Sequence, residues 1–308
     1  MESTALEEPL NYGPDFICIG AQKSCTSWLH WNLLFHPETS MPPEKEINYF
    51  CCEPSTWRER YTRLMKAKKN EFPMNEIFPM ESFPFTWYEH FLFTPHTAEN
   101  YCKLFPKPLG KISGDLSPTY CLLPPQYIEA LSKKLPDVKI IYLLRNPIDR
   151  TWSQFRMMKK NFLLTHSEDS EIIHYIKNEG CLDHSRYTSI LNVWELYFPG
   201  RVKVWFYDQI CKNPKKIFKE ICAYLNISPQ TNFLYNKIKS KVFEGSSIPM
   251  PINVEKYLST EFQEELISLH QHFNNIYTKQ WLNKDTSALS KIYSWYRNKP
   301  NNLKRRVS

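Results

Sequence analysis

The chain has 308 residues, of which 42% are hydrophobic, 15% aromatic and 23% charged, a composition that excludes a disordered or low-complexity chain and supplies apolar material for a sizeable core. Seven glycines against 23 prolines exclude collagen-like and Gly-linker architectures. Thirty-nine Lys and Arg against 32 Asp and Glu leave a net charge of +7, which suits an anionic ligand without naming one.

Along the chain, residues 15–20 (Asp-Phe-Ile-Cys-Ile-Gly) read as a short buried strand. A polar loop, 21–26, leads into a helix from Ser27 to about Phe35, where Trp28, Trp31 or Asn32, and Phe35 recur at helical spacing and Pro37 stops the run. Residues of about 51–108, rich in Pro, Phe, Trp and Lys without a clean period, read as a substrate-side insertion over the carboxyl edge of a sheet. A strand is expected near Lys111–Asp115 and a helix over about 125–134. Lys139–Leu144 is a continuous apolar run of the kind buried on both faces of a parallel sheet; Arg145 closes it, and Pro147 opens a helix through Ile148 to about Lys160. Val202–Tyr207 repeats the strand pattern, and Asn213-Pro214 opens a helix through Ile217, Ile221 and Leu225. The basic tail of about 298–308 reads as flexible, with no nucleic-acid role.

Strands alternating with helices predict one α/β domain over 1–308, an open and mostly parallel sheet flanked by helices, with ligands outside the carboxyl ends of the strands. The nine cysteines form no CxxC or other zinc-ligand spacing and read as reduced thiols, so no metal is expected. No apolar run approaches the ~20 residues of a membrane helix, and the acidic opening lacks the apolar stretch of a secretory signal. The expectation is a soluble, cytoplasmic protein without a membrane partner.

The first chemical signal is Gly20-Ala-Gln-Lys23-Ser24-Cys25-Thr26-Ser27-Trp28, a loop between strand and helix. Unpaired backbone N–H groups at the positive end of a helix form an anion site, to which Lys23 adds charge and Thr26 and Ser27 add hydroxyls. The lysine follows the glycine by three residues with no Gly-Lys pair, so this is not the loop of nucleoside triphosphatases. An ordinary capped helix with a surface lysine is the alternative. Lys23-Ser-Cys-Thr-Ser-Trp28 resembles the Lys-Ser-Gly-Thr-Thr-Trp loop of sulfotransferases, which holds the 5′-phosphosulfate of 3′-phosphoadenosine-5′-phosphosulfate (PAPS). The resemblance implies a P-loop-like strand-loop-helix in which Lys23, Ser24, Cys25, Thr26, Ser27 and Trp28 contact the donor.

It also implies a 3′-phosphate site made of a strand, an Arg, and a Ser eight residues on, a pattern that Arg145-Asn-Pro-Ile-Asp-Arg-Thr-Trp-Ser153 fits. Arg145 can offer a bidentate fork to a phosphate, and Arg150 and Ser153, one turn apart, can face the same way. Phe206-Tyr207-Asp208 through Asn213-Pro214 is similar to the family's Tyr-Glu-Asp-like strand end, which implies that Tyr207 borders the adenine and Trp28 stacks on it. Taken alone, each aromatic reads as core.

Pro43-Glu44-Lys45-Glu46-Ile47-Asn48-Tyr49-Phe50 resembles the Lys-Glu-x-x-Phe-Phe segment of Golgi-type and bacterial carbohydrate sulfotransferases, and that resemblance makes Glu46 the general base, with Lys23 stabilising the leaving phosphate. The alternatives are a solvated carboxylate clustered with Glu44 and Lys45, or a histidine base at His90 or His96. Gly114-Asp115-Leu116-Ser117-Pro118-Thr119-Tyr120 resembles the family's acceptor-side segment. Three departures stand out. Cys25 replaces a glycine, so the loop there is expected to suit a Cβ. Leu116 stands where many carbohydrate enzymes have lysine. Lys237, Lys239 and Lys241 before Phe243-Glu-Gly-Ser-Ser247 occupy the region of a late phosphate clamp without aligning to it. The implied activity is PAPS-dependent sulfation of a hydroxyl or amine on a small intracellular metabolite. A carbohydrate acceptor, a nucleotide-dependent phosphotransferase and a catalytically silent nucleotide-binding protein are the other readings.

Overall fold

The structure, a computed structural model, describes residues 12–51, 85–162, 168–229 and 248–283. Four strands, β1 (Phe16–Gly20), β2 (Gly114–Leu116), β3 (Lys139–Leu144) and β4 (Val202–Phe206), form one sheet in the order β2-β1-β3-β4, with every pairing parallel. The central strands β1 and β3 are apolar runs because both of their faces are buried. The edge strand β4 is buried only at Trp205 and Phe206. Strand order reverses direction beside β1, so the topological switch point lies at the carboxyl ends of β1 and β3.

One sheet face carries Phe16, Cys18, Ile141, Leu143 and Trp205. Against it lie Trp28, Leu29 and Leu33 of α1 (Thr26–Leu34), with Ile217, Phe218 and Ile221 from a later helix, Pro214–Leu225. The strand expected at 111–115 begins later, at Gly114. The backbone of Ile112 is already committed to the segment after α1: Ser40 N–H donates to its carbonyl at 2.8 Å, and its own N–H donates to Glu38 O at 2.9 Å. Pairing with β1 then starts at Gly114↔Phe16. A Cβ at Gly114 would stand 2.2 Å from the Phe16 ring, so this register admits only glycine.

The described helices continue, in chain order, with α2 (Phe85–Phe93), α3 (Ala98–Cys102), α4 (Pro125–Lys134), α5 (Pro147–Phe162), α6 (Asp169–Asn178), α7 (Tyr187–Tyr197), α8 (Tyr207–Lys212), α9 (Pro214–Leu225), α10 (Ile252–Glu261) and α11 (Gln263–Phe273). Tyr207 begins α8 rather than ending β4, because Gln209 turns back to accept the Phe206 N–H at 3.1 Å. Asn213 then caps α9 by accepting the Lys216 N–H. Of the expected insertion, α2 and α3 are seen, while 52–84, the late lysines 237, 239 and 241 with 243–247, and the basic tail lie outside the described residues.

Two compact units divide the chain, Met1–Leu144 with Ile190–Phe243, and Arg145–Ser189 with Glu244–Ser308. The second is organised around Arg150, which is fully buried. Its guanidinium donates to Gln154 Oε1 at 2.7 Å, to Thr151 Oγ1 at 3.2 Å, and to Ser185 Oγ and the Cys181 carbonyl. Arg150 is thus spent on internal acceptors, a correction to the expectation that it shares a ligand-facing surface with Ser153. Elsewhere in this unit Glu265 caps α7, accepting from the Thr188 N–H and hydroxyl at 2.8 and 2.9 Å.

Gly114→Ala should destabilise the protein by about 1–3 kcal/mol through forced displacement of Phe16, read as a lower midpoint in urea unfolding.

Candidate active site

At the end of β1 the chain turns sharply. Gly20 (φ +145°) is hemmed in, since a Cβ there would lie 3.0 Å from the Pro118 carbonyl and 3.3 Å from the Tyr142 ring. Ala21 N–H then ties the loop to β3 by donating to Leu143 O at 2.8 Å. Lys23 (φ +70°) and Cys25 (φ +74°) are both left-handed. For Cys25 this corrects the expectation that the loop relaxes to suit a Cβ: the conformation that favours glycine is kept, and the side chain bears the cost, ~1–2 kcal/mol for a residue held there.

The same turn buries polar atoms that find no hydrogen-bond partner among the described residues: Gln22 Oε1, Ser24 Oγ and Trp28 Nε1. A buried hydroxyl or N–H left unpaired costs ~1–3 kcal/mol. Two of the three atoms can donate. Ser24 stands just before Cys25, the residue that opens α1, and the N–H groups at a helix start suit an anion. Thr26 is buried and Ser27 half-buried in the first turn of α1. Trp28 is 6% exposed and meets Phe218 edge-on at 6.2 Å, so its packing is that of a core aromatic.

Glu46 lies beside this loop through a neighbour that sequence reasoning treated only as part of a charged cluster. Lys45 Nζ donates to Ser27 Oγ at 2.9 Å and to Glu46 Oε1 at 2.5 Å. The ammonium therefore joins the candidate base to the first turn of α1. Its charge also reaches His30, which is pushed down to about 3, chiefly by burial and then by Lys45. Glu44 accepts the Tyr88 hydroxyl at 3.0 Å.

The segment carrying Glu46 is held from below by the Gly114–Tyr120 stretch. Asn48 N–H donates to Ser117 Oγ at 3.0 Å, Tyr49 N–H to Tyr120 OH at 3.0 Å, and Thr119 Oγ1 to Asn48 Oδ1 at 2.6 Å. Beneath them Asp115 is fully buried and accepts Ser117 Oγ at 2.8 Å and Tyr101 OH at 3.0 Å, with Tyr120 as a further partner. Burial pushes the Asp115 carboxyl up to about 6 from its usual 3.8; the three hydroxyls oppose that rise and the Glu46 charge adds to it. Leu116, between these polar neighbours, points into the core at 2% exposure.

Among the other expected residues, Arg145 is half-buried and its carbonyl accepts Tyr187 OH at 2.9 Å, while Ser153 is buried on α5. Asn146 caps α5, accepting the Ile148 and Asp149 N–H groups at 2.9 and 3.2 Å. Tyr207 is half-buried at the start of α8. His90 Nε2 lies 2.8 Å from Asn100 O, and His96 stacks on Tyr49 with centroids 4.1 Å apart. Among the described residues no three His, Cys, Asp or Glu side chains are grouped to hold a metal ion, and no helix is long and apolar enough to cross a membrane.

The described residues form an open parallel α/β sheet with a tight loop between its first strand and first helix, an architecture that by itself fixes no activity. The profile of the sulfotransferase family matches residues 14–231, and the chain belongs to that family. It is 30% identical over 143 residues to the membrane-associated sulfotransferase kil1 of Dictyostelium discoideum, covering 46% of this chain and 22% of that protein. It is 24% identical over 234 residues to the bifunctional heparan sulfate N-deacetylase/N-sulfotransferase 2 of Bos taurus, covering 71% of this chain and 23% of that protein. The matched region is thus less than a quarter of either relative. A crystal structure of a sulfotransferase from Alicyclobacillus acidocaldarius shares the fold, with a TM-score of 0.58 and 21% identity over 87% of this chain and 98% of that one.

Two outcomes are expected. Ser24→Ala removes an unpaired buried hydroxyl, so it should raise the melting temperature without anion and shrink the rise that inorganic sulfate produces. For Asp115 the folded chain holds the proton more tightly than the unfolded one. The stability this contributes is complete below about pH 4 and lost as pH rises through about 6, with a slope of at most ~1.4 kcal/mol per pH unit. Asp115→Asn should flatten that slope in urea unfolding measured across the window.

Proposed function

We propose that the protein transfers the sulfuryl group of PAPS to a hydroxyl or amine of a small acceptor, leaving adenosine 3′,5′-bisphosphate. The observation that carries this reading is the set of unpaired buried polar atoms in the loop after β1, next to the Lys45–Glu46 pair. Ser24 Oγ and the first N–H groups of α1 suit the 5′-phosphosulfate, with Lys23, Cys25, Thr26, Ser27 and Trp28 assigned to the donor by their match to the family loop. Arg145 and Ser153 are assigned to the 3′-phosphate and Tyr207 to the adenine border by their match to the family pattern.

In the transfer, the acceptor oxygen or nitrogen attacks sulfur in line while Glu46 takes its proton. The bond from sulfur to the 5′-phosphate oxygen breaks, and the Lys23 ammonium offsets the charge that grows on that oxygen. A proton thus moves to Glu46, the sulfuryl group to the acceptor, and the electron pair of the broken bond to the bisphosphate. No metal takes part in this scheme.

Leu116 is packed in the core, so the departure from lysine at this position does not bear on the acceptor. A carbohydrate acceptor is the second reading, favoured by the bovine relative, which by its name acts on heparan sulfate.

Adenosine 3′,5′-bisphosphate should raise the melting temperature more than AMP or ATP at equal concentration, and Arg145→Ala should abolish that selectivity. Equal shifts for all three nucleotides would defeat the donor assignment. Once metabolite screening by mass spectrometry supplies an acceptor, Glu46→Gln should lower turnover by ~10²–10⁴-fold.

A further inference from the structure

Lys45 and Glu46 are neighbours in sequence, and adjacent side chains normally diverge. Here they meet because Glu46 adopts a left-handed backbone (φ +57°), followed two residues on by a second left-handed residue, Asn48 (φ +50°). A non-glycine residue held in that region costs ~1–3 kcal/mol. The N–H bonds of Asn48 and Tyr49 to Ser117 and Tyr120 hold the segment in place. The other partner of the ammonium is Ser27, second residue of α1, so a cation rests at the positive end of a helix. That end attracts anions and repels cations. The Glu46 carboxylate is what offsets the mismatch.

An anion entering the loop after β1 would therefore compete with Glu46 for one ammonium. Lys45 and Glu46 are 24% and 37% exposed at their side chains, so the exchange requires no opening of the core. Resting on the donor reading above, we propose that Lys45 is a donor-operated latch on the base. With the loop empty it pairs with Glu46 and occupies the carboxylate. With the phosphosulfate bound it turns to the donor and frees Glu46 to accept the acceptor's proton. Lys45 is in this sense a positioning residue for Glu46, and it makes the base available only after the donor has loaded.

The test is a double-mutant cycle on the binding of adenosine 3′,5′-bisphosphate, measured by titration calorimetry, which needs no knowledge of the acceptor. Glu46→Gln releases Lys45 to the ligand, so it should bind roughly two- to five-fold tighter than the wild type, the scale of a partly exposed ion pair. Lys45→Met should bind more weakly, and Lys45→Met/Glu46→Gln should match Lys45→Met. With Lys45→Arg the gain from Glu46→Gln should persist, which a merely structural lysine would not produce. A gain of equal size with and without Lys45 would mean plain repulsion between Glu46 and the ligand and would overturn the latch, as would no gain at all. If the wild type bound no bisphosphate, the donor reading itself would fall and the latch with it, whereas binding without Lys45-dependent coupling defeats the latch alone. Lys45→Gln takes the place of the methionine variant should that one fail to fold, as judged by its melting curve.

Discussion

A buried carboxylate organises the surroundings of the segment that carries Glu46. Asp115 has no exposure to water, and its oxygens are served by hydroxyls from Ser117, Tyr101 and Tyr120. Those hydroxyls, once donated, have lone pairs left over, and Ser117 and Tyr120 spend them on the N–H groups of Asn48 and Tyr49. The result is a chain of polar contacts from a strand in the sheet to the backbone just beyond Glu46. In a low-dielectric interior each such bond is stronger and each broken one is costlier. The backbone just beyond Glu46 is therefore held by a buried network that starts at Asp115.

Backbone strain is concentrated in the same neighbourhood. Among the described residues, six other than glycine have positive φ, and four of them lie in the loop after β1 and in the segment of Glu46: Lys23, Cys25, Glu46 and Asn48. The remaining two, Asn226 and Asn274, close helices, where an asparagine in the left-handed region is ordinary. Strain of this kind persists only where the surroundings over-determine it. Around the loop the determinants are Gly20 against the Pro118 carbonyl and Ala21 bonded to β3. Around Glu46 they are the Ser117 and Tyr120 acceptors. The Ser24 hydroxyl, without a partner among the described residues, is a second cost borne beside the loop strain. An anion bound there would give that hydroxyl an acceptor.

The two arginines of the Arg145–Ser153 stretch show how a motif divides its labour. In the sequence Arg145 is the candidate fork for a phosphate, and Arg150 is placed one turn from Ser153 where it can face the same way. Arg150 is enclosed by Gln154, Thr151, Ser185 and the Cys181 carbonyl, and it serves as the polar centre of its unit. Arg145 directly follows the last residue of β3 and is half-buried. Nothing in the spacing of the two residues distinguishes them. Two of the acceptors that claim Arg150, Gln154 and Thr151, are local, and the other two, Cys181 and Ser185, come from 31 and 35 positions further along the chain.

Apolar runs at 16–20 and 139–144, and the helices after them, were legible because strands buried on both faces have no alternation to hide and because proline and asparagine mark helix starts. The glycine-lysine-hydroxyl loop was legible for a similar reason, since an anion site at a helix start is built from consecutive residues. The register of β2 was not, because Ile112 is claimed by Glu38 and Ser40, a pairing between segments more than seventy residues apart. Nor was the part played by Lys45, which depends on a left-handed turn at Glu46 and on Ser27 lying opposite. Sequence alone determined which local elements form and what chemistry each can offer, because propensity and periodicity act between near neighbours. Tertiary structure alone decided which charges meet, because that depends on where distant backbone groups find their hydrogen-bond partners.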